Sequence, residues 1–193
     1  MAADIAGNDI SAVAVPVTGF IGFAPIGTPI PTPVEGADPD FVLPVAYKKL
    51  GLIKEDGGPQ WSWAADGDPL TFWQQGYTIP TGLANVTVEA SLAQTDDNVR
   101  TFLYGKVPDA NGYTEVDGGG NAEHYVIFTE EIFKSSAIRR RVAPDANVQT
   151  VAEDQSTRGD VLGYDTTVNV NRSDVVHGEH FGEWLIPADA DNS

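Results

Sequence analysis

The chain has 193 residues with 28 Asp and Glu against 11 Lys and Arg, giving a formal charge of −17. With 41 % apolar and 20 % charged residues it can bury a core, which excludes global disorder, and its acidity excludes a general basic surface that grips nucleic acid by its phosphates. No cysteine is present, so disulfides, thiolate zinc sites and cysteine nucleophiles are excluded together.

Met1–Asp9 shows neither a basic n-region nor an apolar h-region, and no apolar run approaches the roughly 18 residues of a membrane helix. The expectation is a soluble, unexported chain.

Residues 1–44 hold seven of the 13 prolines, interleaved with Gly19, Gly22, Gly27 and Gly36. This density predicts an extended N-terminal arm with no helix and no central strand. The arm also carries Val13, Val15, Val17, Phe20, Ile21, Phe23 and Ile26. It is too apolar for a solvated linker, and is expected to lie on its own domain or on a neighbouring subunit.

Residues 45–187 break into short runs bounded by Gly, Pro, Asn and Asp, which predicts an all-β domain with one short helix. The run 85–92 alternates: Val86, Val88, Ala90 and Leu92 face one side, Thr87, Glu89 and Ser91 the other. The helix is placed at Asp96–Tyr104, capped by Thr95 and stopped by Gly105, with Val99, Phe102 and Leu103 as its apolar stripe. A strand apolar on both faces follows at His124–Phe128. Weaker strands are expected at 136–142, 147–151 and 181–186, and a second alternating one at 162–170 places Leu162, Tyr164, Val168 and Val170 opposite Asp165, Thr167 and Asn169. Residues 188–193 form a C-terminal tail.

Chemistry-bearing motifs are sparse. His177, Glu179 and His180 do not share one face of a strand, so no metal is expected. Asp66-Gly-Asp68 makes a turn, and Arg158-Gly-Asp160 is a loop tripeptide. No phosphate loop, nucleophile elbow or supported carboxylate pair occurs, and neither catalysis nor a cofactor is expected. Arg139-Arg-Arg141 is either a solvated strand end or an anchor for carboxylates of another copy.

The most distinctive stretch is Leu50-Gly-Leu-Ile-Lys-Glu-Asp-Gly57, followed by Trp61, Trp63 and Phe72-Trp-Gln-Gln-Gly76, then the 86–92 strand and the helix. This order over residues 47–105 resembles the major tail proteins, or tail tube proteins, of long-tailed bacteriophages. The resemblance implies a β-sandwich tail-tube fold whose inner sheet joins a ring-wide β-barrel of six copies. Stacked rings would form the tube through which DNA passes without adhering. The chain's partners would be itself, a tape measure protein and tail terminator or tip proteins, in the virion tail and, before assembly, the host cytoplasm.

Under that reading the inter-subunit candidates are Phe20, Phe23, Lys54, Glu55, Asp56, Arg139, Arg140 and Arg141. The lumen candidates are Glu89 and Asp165, and the core candidates are Trp61, Trp63, Trp73, Phe102, Leu103 and Tyr164. An acidic lumen repels DNA. Two alternatives stay open: a tube ring protein of a contractile injection or secretion system, and a β-sandwich glycan-binding or head-decoration module that uses its tryptophans as a platform.

Overall fold

Alternation builds the molecule. In the computed structural model, which describes residues 5–188 apart from the side chain of Ser11, the run 85–92 lies within one strand of an eight-stranded antiparallel sheet. In chain order the elements are β1 (Pro16–Pro25), α1 (Pro33–Ala37), β2 (Lys48–Lys49), β3 (Gln60–Asp66), β4 (Leu70–Thr71) and β5 (Thr78–Ile79). They continue with β6 (Leu83–Leu92), α2 (Asp97–Tyr104), β7 (His124–Phe133), β8 (Ile138–Glu153), β9 (Tyr164–Val170) and β10 (Gly182–Ile186). The sheet order is β2-β1-β7-β8-β9-β6-β3, with β10 also on β8, while β4 and β5 form a separate hairpin. The all-β expectation holds. Apart from Ala188, the expected tail lies outside the described residues.

Long β8 organises the sheet. One edge of its first half pairs with β7 and the other with β10, and its second half pairs with β9. Pro144 falls between the last β10 partner, Val142, and the first β9 partner, Ala146, at the bulge where β7 shifts register. Nothing there requires the amide hydrogen that proline lacks, so one strand runs through where the sequence suggested two.

Three further expectations are corrected. β1 pairs with β7 along most of its length and with β2 at Gly22 and Phe23, so the proline-rich segment contains a central strand. Pro16 and Pro25 sit at its ends, and Gly19 lies where a Cβ would come within 2.1 Å of the Glu130 carbonyl. Among the described residues there are two α-helices rather than one, because Thr32 and Glu35 form a capping box around Pro33. In α2 the cap is Asp96, which accepts from the amides of Asn98 and Val99, not Thr95, while Gly105 closes the helix at φ 70°.

The sheet curls so that its inner face packs on itself. Ile21 and Phe23 of β1 and Ile127 of β7 share one core with Val86 and Val88 of β6, Val168 of β9, and Val99, Phe102 and Leu103 of α2. Phe23 lies 5.1 Å from the Phe102 ring and 5.4 Å from the Tyr125 ring. One end of the curl is stitched shut by residues 50–57. Leu50 donates to the Ile21 carbonyl on one side, and on the other Lys54 donates to Ser91 and Ala93 to Leu52. Gly51 stands at φ 75°, and Gly57 packs so close that a Cβ would come within 2.4 Å of the Ser91 side chain. The glycine-bounded motif is therefore a staple between β1 and β6.

A second apolar cluster covers the opposite face of β1, β7 and β8, where Ala24, Val126, Phe128 and Val142 meet Tyr47, Phe41 and Trp184. Arg140, 1 % exposed, is its polar centre. Its guanidinium pairs with Glu130 at 2.7 Å and donates to the carbonyls of Gly36 at 3.0 Å, Pro39 at 3.1 Å and Asp38, tying down the chain after α1.

Candidate assembly surfaces

The lumen candidates lie on one face. Glu89 of β6 stands opposite Thr167 of β9 and Gln60 of β3, and Asp165 of β9 stands opposite Ser91 of β6, whose hydroxyl donates to it. Thr150 and Ala152 of β8 continue this face beyond Thr167 and Asp165. Glu89 and Asp165 are exposed, and every side chain on this face of the β8–β9–β6–β3 sheet is neutral or acidic. A sheet with one packed face and one wet face of a single charge sign repels polyanions from the wet side.

This four-stranded half has two open edges. Among the described residues no strand pairs with the outer side of β3. On the far side, β7 begins at His124 opposite Asn147 while β8 runs on to Glu153. The chain before β7 diverges there. It leaves a cleft of about 440 Å³ between residues 116–121 and the free edge of β8, lined by Leu103, Tyr104, Val116, Val148, Val151 and Tyr164 among others. Natural sheets guard exposed edges with lysine, proline or bulges. The short edge strand β2 is Lys48-Lys49, whereas β3 (Gln-Trp-Ser-Trp-Ala-Ala-Asp) and the 148–153 edge (Val-Gln-Thr-Val-Ala-Glu) carry neither lysine nor proline, the latter being interrupted only by a bulge between Val148 and Thr150.

Apolar side chains also project. The β4–β5 hairpin displays Leu70, Phe72, Trp73 and Tyr77, with Trp73 96 % exposed at its turn, and Ile5, Ile10, Val13 and Val15 are exposed ahead of β1. The core assignments of Trp73 and Trp63 are thus corrected. The Trp-Gln-Gln-Gly motif is a turn, with Gly76 at φ 91°, and Trp63 is 59 % exposed because β3 is an edge strand extending past the core. Trp61 is buried and donates to the Thr129 hydroxyl, and Phe102, Leu103 and Tyr164 are buried as well.

Within the single chain the arginines find carboxylates, so none of the three is a bare solvated cation. Arg139 pairs with Glu131 through Nε at 2.8 Å and Nη2 at 2.9 Å, Arg140 with Glu130, and Arg141 with Glu183. Glu130 and Glu131 stand directly across the β7–β8 hairpin from Arg140 and Arg139. Of the other inter-subunit candidates, Phe23 lies in the core, and Phe20 is half-buried against Phe128 with the Lys49 ammonium 4.0 Å over its ring. Lys54 pairs with Asp154 at 2.7 Å, an acceptor that also takes the Gly163 amide. The hydrogen bond to Lys54 holds the Asp154 carboxyl below its ordinary value and, reciprocally, raises Lys54. Glu55 and Asp56 remain exposed.

The weaker motifs are loops. His177 stands at φ 60° after a short turn, and burial, then the charge of Arg172, push His180 down. Asp66 accepts the Gly67 amide in a turn. No group of three His, Asp or Glu among the described residues is placed to hold a metal ion.

A family model described as phage tail tube protein matches residues 6–187. No curated protein matches the chain.

Proposed function

The chain belongs to the phage tail tube protein family, so it is a structural component of the virion tail that assembles with copies of itself, and from that premise we propose how its copies join. The free edge of β3 in one subunit pairs with the free 148–153 edge of β8 in the next. Six copies, the number implied by the resemblance, close a ring whose inner barrel is the β8–β9–β6–β3 sheet repeated. The polar face carrying Glu89 and Asp165 lines the lumen.

The observation that carries this reading is the pair of open edges, both without lysine or proline, bordering a single face whose strands carry no cation. Strand direction agrees with it. The four strands alternate, so β3 runs opposite to β8, and joining them around a ring gives an antiparallel ladder at every junction. Closure also removes the edges, the standing liability of an open sheet. DNA then passes a wall whose strands offer its phosphates no cation, the nearby Lys54 being paired with Asp154.

The β4–β5 hairpin and residues 5–15 bury their apolar side chains on neighbouring subunits or rings, and Glu55 and Asp56 lie at such contacts. A tape measure protein and terminator or tip proteins are its further partners, as the resemblance implies, and the subunit waits in the host cytoplasm before assembly. The role is architectural, without a catalytic step.

The test is an engineered disulfide, for which the cysteine-free chain is well suited. Ser62→Cys combined with Thr150→Cys or Ala152→Cys places thiols on the same face of the two edges, within the Cα spacing of adjacent strands. Oxidation of assembled material should give a ladder ending at six chains, and electron microscopy should show rings or hollow tubes. A chain that remains monomeric at every concentration and forms no cross-link refutes the reading.

A further inference from the structure

Pairing two edges fixes more than the backbone. Side chains alternate along a strand, so once the polar face runs on from β8 of one copy into β3 of the next, the residues between must all fall on the opposite, core side. On β3 those residues are Trp61 and Trp63, and on β8 they include Val148 and Val151. The cleft between residues 116–121 and the β8 edge opens beside Val148 and Val151.

Trp63 is the one large apolar side chain of β3 left bare on that side. Trp61 is buried in its own subunit, whereas Trp63 is 59 % exposed and rests against the Arg141 guanidinium at 5.8 Å and the Phe181 ring at 5.8 Å. One side of the indole is held and the other has no cover. We infer that the Trp63 indole of each subunit seats in the cleft of its neighbour, between Tyr104, Tyr164 and Val151 on one wall and Val116 on the other, and acts as the anchor of the ring contact.

This rests on the β3–β8 edge pairing proposed above. The occupant is a second copy because the cleft lies where β7 leaves β8, in the position of the next strand on that edge. An incoming β3 would continue the line of β7, as β9 and β10 already share the other edge end to end. A preorganised aromatic inserted into an aromatic and aliphatic slot is the usual form of an energetically dominant interface residue. The 105–123 connection, lacking regular structure and held at its base by Asn121 on the Phe102 carbonyl, then serves as the outer wall of the socket.

Two variants of the full chain test the contact from opposite sides. Trp63→Ala removes the knob, and Val116→Trp fills the socket; both positions are exposed in the free subunit, so Val116→Trp should melt as the wild type does and Trp63→Ala, which also loses the Phe181 and Arg141 contacts, only slightly below it. Each should raise the concentration at which rings or tubes form, read by sedimentation and electron microscopy, about tenfold or more, and Trp63→Phe should recover part of the loss. If both variants assemble at the wild-type concentration while the Ser62→Cys pair still cross-links, the socket is refuted and the edge pairing stands. If the cross-link also fails to form, the edge pairing falls and the socket with it.

Discussion

The two halves of the sheet, meeting at Pro144 of β8, are finished differently. In the β1–β7–β8–β10 half both faces are covered, one by the main core and the other by the 26–47 connection, whose Phe41 and Tyr47 pack on it and whose carbonyls Arg140 holds. In the β8–β9–β6–β3 half only the inner face is covered; the other is bare, polar and without cations, and both its edges are open. The first half completes itself within one chain. The second is finished on only one side, which suits the proposed role of facing a channel and neighbours.

The comparison can be broken most strongly at Arg140. Arg140→Ala empties a buried site, leaves the part-buried Glu130 unpaired and frees three carbonyls, so stability should fall by about 3 kcal/mol, measured as a shifted denaturant midpoint. A loss under about 1 kcal/mol would mean that the covered half does not depend on its buried cation.

The pair that ties the 50–57 staple to the end of β8 responds to pH. Asp154 is held below its ordinary carboxyl value by Lys54, so this pair contributes fully above that ordinary value, near 4, and its contribution disappears as pH falls through the lowered one. Stability should therefore drop on acidification below about pH 4, and Asp154→Asn should flatten that part of the profile. An unchanged profile in the variant would place the acid sensitivity elsewhere.

The smallest effect is expected on the bare face. Glu89→Gln with Asp165→Asn should alter subunit stability by no more than about 0.5 kcal/mol, because both carboxylates are exposed. A larger change in the melting of the free subunit would mean that the wet face is part of the fold's support.

Much of this fold was legible in the chain. The alternating 85–92 and 162–170 runs became β6 and β9 because only one of their faces packs, and Gly105 ended α2 as read. What stayed hidden depended on context. β1 was disguised by prolines that occupy its two ends and by glycines required for close approach, while Pro144 split β8 into two apparent strands because its bulge is defined by partners far along the chain. The α1 capping box, Thr32-Pro-Val-Glu35, was a readable signal that went unread amid the prolines.

Side-chain roles were harder to read than strands. Apolar character put Trp73 in the core, but a turn displays it, since hydrophobicity records what a residue gains by burial and not whether its own chain supplies the cover. The arginine run suggested an external partner because the chain is so acidic, yet Glu130 and Glu131 stand as far before the β7–β8 turn as Arg140 and Arg139 stand after it. That symmetric spacing was the available sign that the pairs close locally. Glu89 and Asp165 were assigned by alternation alone, and the register brings them to one face.

The length of β8 has a mechanical consequence. Its 16 residues extend for roughly 50 Å, one end inside the doubly covered half and the other at the proposed junction. Tension applied to the 148–153 end is carried along a continuous backbone into the ladders with β7, β9 and β10, where many hydrogen bonds share the load in shear and must fail together. A single strand thus serves as a tie-rod, and a tube made of such subunits would pass strain at its joints to the best-packed part of every wall segment.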